Sequence, residues 1–295
     1  MLTNKAKGTV AIIASAFGFA LMALFVRLCD EYGAPISSIQ KGFFRNVVAF
    51  AIALAAFLRS GTVMGTSSAS QASVSARAWL QLVMRSLLGT IGIFANFYAL
   101  SHITIAEGQT LNKTAPFFTV LLAWLFFGER MTRHQFLALF VAFAGVILIA
   151  KPGFAGMDGF PLAMGVLGGL CAGGAYACVR GLRRHNISPA FIVLFFSAFS
   201  CLASVPFMAV KFDPMSWRQV LILFGAGAGA AIGQFGITLA YGFAAPREIA
   251  VYDYTNILFT AAFGLVFFGQ IPDCWSLLGC VAILVAACRI FSKNV

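Results

Sequence analysis

The chain is built from apolar runs of about twenty residues, the length an α-helix needs to cross a hydrocarbon layer about 30 Å thick. Ten such segments can be drawn, at 8–29, 36–58, 79–100, 104–127, 132–150, 161–179, 188–210, 217–242, 246–268 and 273–291. They are apolar on all sides, so length rather than periodicity identifies them as helices. A membrane β-barrel is excluded, because its strands alternate apolar and polar residues over about ten positions. Composition agrees: of 295 residues, 61% are hydrophobic and only 10% charged, where soluble domains carry roughly a quarter. A soluble enzyme, a secreted disulfide scaffold, a disordered chain and a nucleic-acid binder are set aside together. What remains is an all-α integral membrane protein of ten transmembrane helices, with lipid as its main surroundings.

Most connections are short. The exception, 59–77, is rich in Ser, Thr and Gly and is expected to be a flexible loop. Cys29, Cys171, Cys178, Cys201, Cys274, Cys280 and Cys288 lie in or beside apolar runs without any C-x-x-C pair, and read as small apolar side chains. The first apolar run is too long for a signal-peptide core and has no A-x-A exit.

The net charge of +11 is an orientation signal in a membrane protein. With the N-terminus placed in the cytoplasm, the inner loops and ends hold twelve Lys and Arg residues and the outer ones four. The remaining four, Lys41, Arg45, Arg85 and Lys113, fall inside segments. This split predicts a multi-pass protein of the cell (inner) membrane with both termini cytoplasmic. Trp79, Trp124, Trp217 and Trp275 lie near segment ends, where an interfacial aromatic belt would place them.

The sequence also repeats. Phe126-Phe127-Gly128-Glu129 recurs as Phe267-Phe268-Gly269-Gln270, and the same offset of 141 pairs Glu107 with Glu248, Asn112 with Asp253 and Thr114 with Thr255. The repeats divide the chain at 1–150 and 151–295. Five helices is an odd number, so the second copy must enter the membrane upside down. Inverted repeats of this kind are a common plan of secondary transporters, with the site between the halves near the midplane.

These repeats resemble the drug/metabolite transporter superfamily, EamA type. The resemblance is carried by LNKTAPFFTVLLAWLFFGERMTRHQFLALFVAFAGVILI at 111–149, by YTNILFTAAFGLVFFGQIPDCWSLLGCVAILVAA at 254–287, and by Phe43-Phe44-Arg45 in the second segment. It implies ten helices, both termini inside, and a central cavity lined largely by segments 3, 4, 8 and 9 with parts of 1, 2, 6 and 7. It also implies export of amino acids or movement of other small metabolites, and leaves the substrate open.

Charges inside a bilayer are expensive, about 2.5–3.5 kcal/mol each on insertion scales, so each needs a reason. Lys113 lies nine residues into the fourth segment, and Asp253 lies seven residues into the ninth. The repeat sets them at nearly equivalent depths. They read as a cavity cation for a substrate carboxylate or phosphate with its resting partner, or as a permanent structural ion pair. Glu107 and Glu248 read as helix-start acids satisfying the helix dipole, or as gating or proton-carrying groups. Arg45 and Arg85 are divided between cavity anion contacts and other roles, an ion pair for Arg45 and snorkelling for Arg85. Lys41 is shallow enough to snorkel.

The neutral candidates are Asn96, Tyr98, Gln109, Asn112, Gln234, Tyr241, Tyr252, Tyr254 and Asn256. On a continuous helix, Glu248, Tyr252 and Asn256 share one face. Any one of these could instead be an interhelical hydrogen bond. Pro116 is expected to kink the fourth segment beside Lys113, as a hinge or as a shaper of the wall. Glycines at 165, 169 and 173, and at 225, 229 and 233, form small-residue ridges for close helix contact.

The function expected is therefore secondary transport, by alternating access, of a small zwitterionic or anionic, amino-acid-like metabolite. A uniporter or exchanger for a nucleoside-like or organic-anion metabolite is the alternative, and a channel the third reading. An enzyme is not expected: His102, His134 and His185 all lie in loops, and there is no H-E-x-x-H or G-x-S-x-G. No cofactor, metal or nucleic-acid partner is expected. The protein would act as a monomer or homodimer, and protonation of Glu107 or Asp253 would be the simplest coupling route.

Overall fold

The computed structural model describes residues 3–34, 36–60, 75–102, 111–150, 159–269, 271 and 273–292. Among them there is no β-strand. The helices are α1 (Asn4–Glu31), α2 (Ser38–Ser60), α3 (Ala76–His102), α4 (Ala115–Phe127), α5 (Arg133–Ala150), α6 (Gly159–Arg184), α7 (Pro189–Val210), α8 (Trp217–Phe243), α9 (Pro246–Ile249), α10 (Thr255–Phe268) and α11 (Cys274–Ser292), with a 3-10 turn, Ala250–Tyr254, between α9 and α10. Seven spans among the described residues are long and apolar enough to cross a membrane, and α4, α5 and α11 are shorter apolar helices. The predicted loop at 59–77 lies mostly outside the described residues, as do Glu107, Gln109 and Gln270.

Local chemistry sets several starts and stops. The Ser216 hydroxyl accepts from the Gln219 backbone N–H at the head of α8, and the Gln219 side chain accepts from the Ser216 N–H in return. Ser188 and Pro189 open α7 in the positions each residue favours. Gly128 and Gly269 end α4 and α10 at φ of 67° and 63°, a left-handed conformation that glycine adopts without steric cost. This gives the glycine at the end of each Phe-Phe-Gly its role.

Two predicted helices are broken. The segment 104–127 turns at Lys113–Thr114 and restarts at Ala115. Pro116 stands in the first turn of α4, where its missing N–H has no partner to lose, so it starts a helix instead of kinking one. The segment 246–268 passes from α9 through the 3-10 turn into α10. The breaks match across the repeat offset: Thr114 Oγ1 donates to the Leu111 carbonyl at 2.6 Å, and Thr255 Oγ1 donates to the Tyr252 carbonyl at 2.7 Å.

The closest packing is α1 on α8, α3 on α6, α5 on α11 and α2 on α7. Helices α1 and α8 run antiparallel: Gly8 faces Ala244, Gly18 faces Gly233 and Phe25 faces Gly225. At Gly18 a Cβ would stand 2.6 Å from the Gly233 backbone nitrogen, so only glycine permits the approach. The outer surface is apolar, with Phe126, Leu202 and Val210 exposed, and all four tryptophans are also exposed there. An apolar exterior of this extent suits lipid, and the protein is an integral multi-pass membrane protein.

A candidate substrate cavity

A cavity of about 570 Å³ occupies the middle of the molecule. Its lining runs along α1 from Phe19 to Asp30, then to the start of α2 at Ser38, so it reaches the end where α1 stops and α2 begins. Lys41 and Asp30 form an ion pair at that mouth. Helices α1, α2, α3, α6 and α10 supply most of the wall, whereas α8 supplies Gln234. This departs from the lining implied by the resemblance, in which the first helix is minor and the eighth major. The cause is the α1–α8 seam: the α8 glycines at 225, 229 and 233 are spent on α1 instead of facing the cavity.

The two helix breaks supply the charges at the cavity's inner end. Lys113 Nζ lies 3.7 Å from Asp253 Oδ2, each side chain being 10% exposed. That separation is an ion pair but longer than a hydrogen bond, so among the described residues both groups keep unused hydrogen-bonding capacity. Three arginines line the cavity: Arg27, exposed and stacked over the Phe268 ring, and the buried Arg85 and Arg45. Arg85 is 1% exposed, donates from Nη2 to Gln234 Oε1 at 2.7 Å, and lays its guanidinium 3.7 Å from the centre of the Phe196 ring. Arg45 is 6% exposed. Among the described residues the Nε of each buried arginine has no hydrogen-bond partner, and neither of these two forms an ion pair. Tyr176 lines the same cavity.

Of the candidate residues, Lys113, Asp253, Asn112, Asn96, Arg85, Arg45, Gln234 and Asn256 line the cavity. Asn256 Nδ2 also donates to the Ala16 carbonyl, tying α10 to α1. The others are elsewhere. Tyr98 is exposed and stacks on His102, because two residues after Asn96 on α3 it points to the opposite face. Tyr241 and Tyr252 are core residues. The shared face of Glu248, Tyr252 and Asn256 does not form, since the 3-10 turn rotates about 120° per residue and breaks the i,i+4 register. Glu248 accepts from the Ala245 N–H at 3.2 Å, a helix-start acid. Pro116 is buried at the start of α4, away from the lining.

Sequence reasoning missed Tyr176, Phe196 and Thr260 in the wall, which carry no charge to betray them. It also missed an ion cluster at the opposite end from the mouth. Glu129, 5% exposed, accepts from Arg180 Nε at 3.0 Å and also bonds Arg184, while Arg180 Nη1 donates to the Tyr241 carbonyl at 3.0 Å. The available signal was the acid that follows Phe-Phe-Gly, beside the two arginines that end α6.

An apolar-walled cavity that holds a few buried charges and meets two helix breaks, inside a protein that is helical in its described residues and apolar outside, fits the class of membrane transporters. The chain belongs to the EamA-like transporter family of the drug/metabolite transporter superfamily: residues 6–151 match that family, and its relatives include proteins named as transporters. It is 28% identical over 282 residues to the pseudopaline exporter of Pseudomonas aeruginosa, covering 95% of this chain and 94% of that one. It is 30% identical over 213 residues to a riboflavin transporter of Rhizobium johnstonii, covering 71% and 68%. A solved crystal structure at 19% identity superposes with a TM-score of 0.72 over 93% of this chain and 95% of the other, a likeness of fold.

Proposed function

We propose that this transporter is a secondary carrier for a small zwitterionic or anionic, amino-acid-like metabolite, working by alternating access across the cell (inner) membrane. The Lys113–Asp253 pair carries the reading. A substrate carboxylate adds to Lys113 and an ammonium to Asp253, each using the capacity that a 3.7 Å pairing leaves open. The polypeptide is two inverted five-helix repeats, 1–150 and 151–295, with both termini cytoplasmic. The matched threonine bonds, the paired left-handed glycines and the reciprocal packing of α1 on α8 and α3 on α6 support this plan.

The cavity then faces outward. The Glu129–Arg180–Arg184 cluster closes the inner end and must separate for release or entry there. The relatives named for riboflavin keep a nucleoside-like or organic-anion metabolite as the second reading.

Counterflow into proteoliposomes tests this, with radiolabelled amino acids in one arm and riboflavin in the other. The expected result is saturable uptake of an amino acid, stimulated by unlabelled substrate inside and lost in Lys113→Ala. Flux that never saturates would indicate a channel. Riboflavin uptake alone would favour the second reading, and unaltered uptake by Lys113→Ala would remove the pair from the substrate site.

A further inference from the structure

We propose that Arg45 and Arg85 form a second anion-binding pole in the cavity, so that the substrate is an amino acid bearing an additional acidic group. The inference rests on the carrier reading above and specifies its substrate class. Three cations, Arg45, Arg85 and Lys113, stand in the inner cavity against one carboxylate, Asp253. The carboxylate is already committed to Lys113, and neither arginine forms an ion pair among the described residues. A buried charge is stable only when it is compensated. The mouth acid, Asp30, is held by Lys41. Among the described residues no further carboxylate lines the inner cavity to balance the arginines, and that charge is assigned to the ligand.

The geometry suits an oxyanion. Gln234 and the Phe196 ring fix the plane of the Arg85 guanidinium, a rigid fork of the kind that binds carboxylate or phosphate through two parallel N–H groups. Arg45 brings a second guanidinium from α2. Tyr176 lines the same cavity and adds a phenol to its polar groups. A ligand spanning the cavity would set its ammonium and α-carboxylate at Asp253 and Lys113, and its second acid at the arginines.

The test measures binding to the purified full-length protein by titration calorimetry. The probes are glutamate and phosphoserine, each against a neutral counterpart, glutamine and serine. The expected result is tighter binding of at least one acid by about tenfold or more, the size of one charged hydrogen-bond set. That ratio should collapse to near unity in Arg45→Gln and in Arg85→Gln, with thermal unfolding confirming that both variants fold. Arg85→Lys, which keeps the charge but not the fork, should recover part of it. Equal binding of acid and neutral counterpart by the wild type would overturn the proposal, as would an acid preference that survives both glutamine variants. The carrier reading fails differently, through amino-acid binding that persists in Lys113→Ala.

Discussion

Lys113 and Asp253 are each buried beside the only opposite charge in reach among the described residues, and this sets what their loss should do. Removing one partner leaves the other as an uncompensated buried charge, a cost of about 3–5 kcal/mol. Lys113→Ala should therefore unfold at lower temperature, while Lys113→Met combined with Asp253→Leu should regain most of the lost stability. Uptake should stay absent in the double variant, because an apolar pair binds no zwitterion. Recovery of uptake along with the melting temperature would mean the pair is only structural. Lys113, Asp253, Arg45 and Arg85 were legible as candidates because a charge in an apolar run is conspicuous. Tyr98 and Tyr252 were misplaced because the side a tyrosine faces depends on helix register, which an all-round apolar segment does not reveal. Glu129 was overlooked because its motif was taken only as a marker of the repeat.

At the scale of elements, an all-helical membrane protein was readable from the length of its apolar runs, but the continuity of those runs was not. Pro116 suggested a kink within one helix, whereas the chain there restarts a helix and leaves Lys113 in the turn. The matching break has no proline beside Asp253 to announce it, and this 3-10 turn, which holds both residues, is what separates Tyr252 from the cavity face. Gly128 and Gly269 close both half-helices at positive φ. Gly128→Ala should cost about 1–2 kcal/mol, the penalty for a side chain in the left-handed region, read as a lower unfolding temperature with the helical circular dichroism preserved. At the α1–α8 seam, Gly18→Ala puts a methyl against fixed backbone atoms. It should destabilise the protein by about 1–3 kcal/mol, the usual range for overpacking. No loss of stability in Gly18→Ala would show that the seam is looser than the contact between Gly18 and Gly233 implies.

For the whole molecule, an apolar exterior encloses a cavity with buried charges, and the Glu129–Arg180–Arg184 ion cluster is the gate proposed at the end away from its mouth. Glu129→Gln removes the negative charge shared by Arg180 and Arg184, so the closed end should open more often. Alternating access, as proposed, has one cavity serve both sides of the membrane in turn. Its most direct measurement uses Asn112→Cys, in an otherwise cysteine-free chain, reconstituted in oriented vesicles and treated with a membrane-impermeant maleimide. Labelling from either side, blocked by substrate and abolishing counterflow, is the predicted result, with Glu129→Gln raising the rate from the closed end. Labelling confined to one side under all substrate conditions, or labelling that leaves counterflow intact, would contradict it.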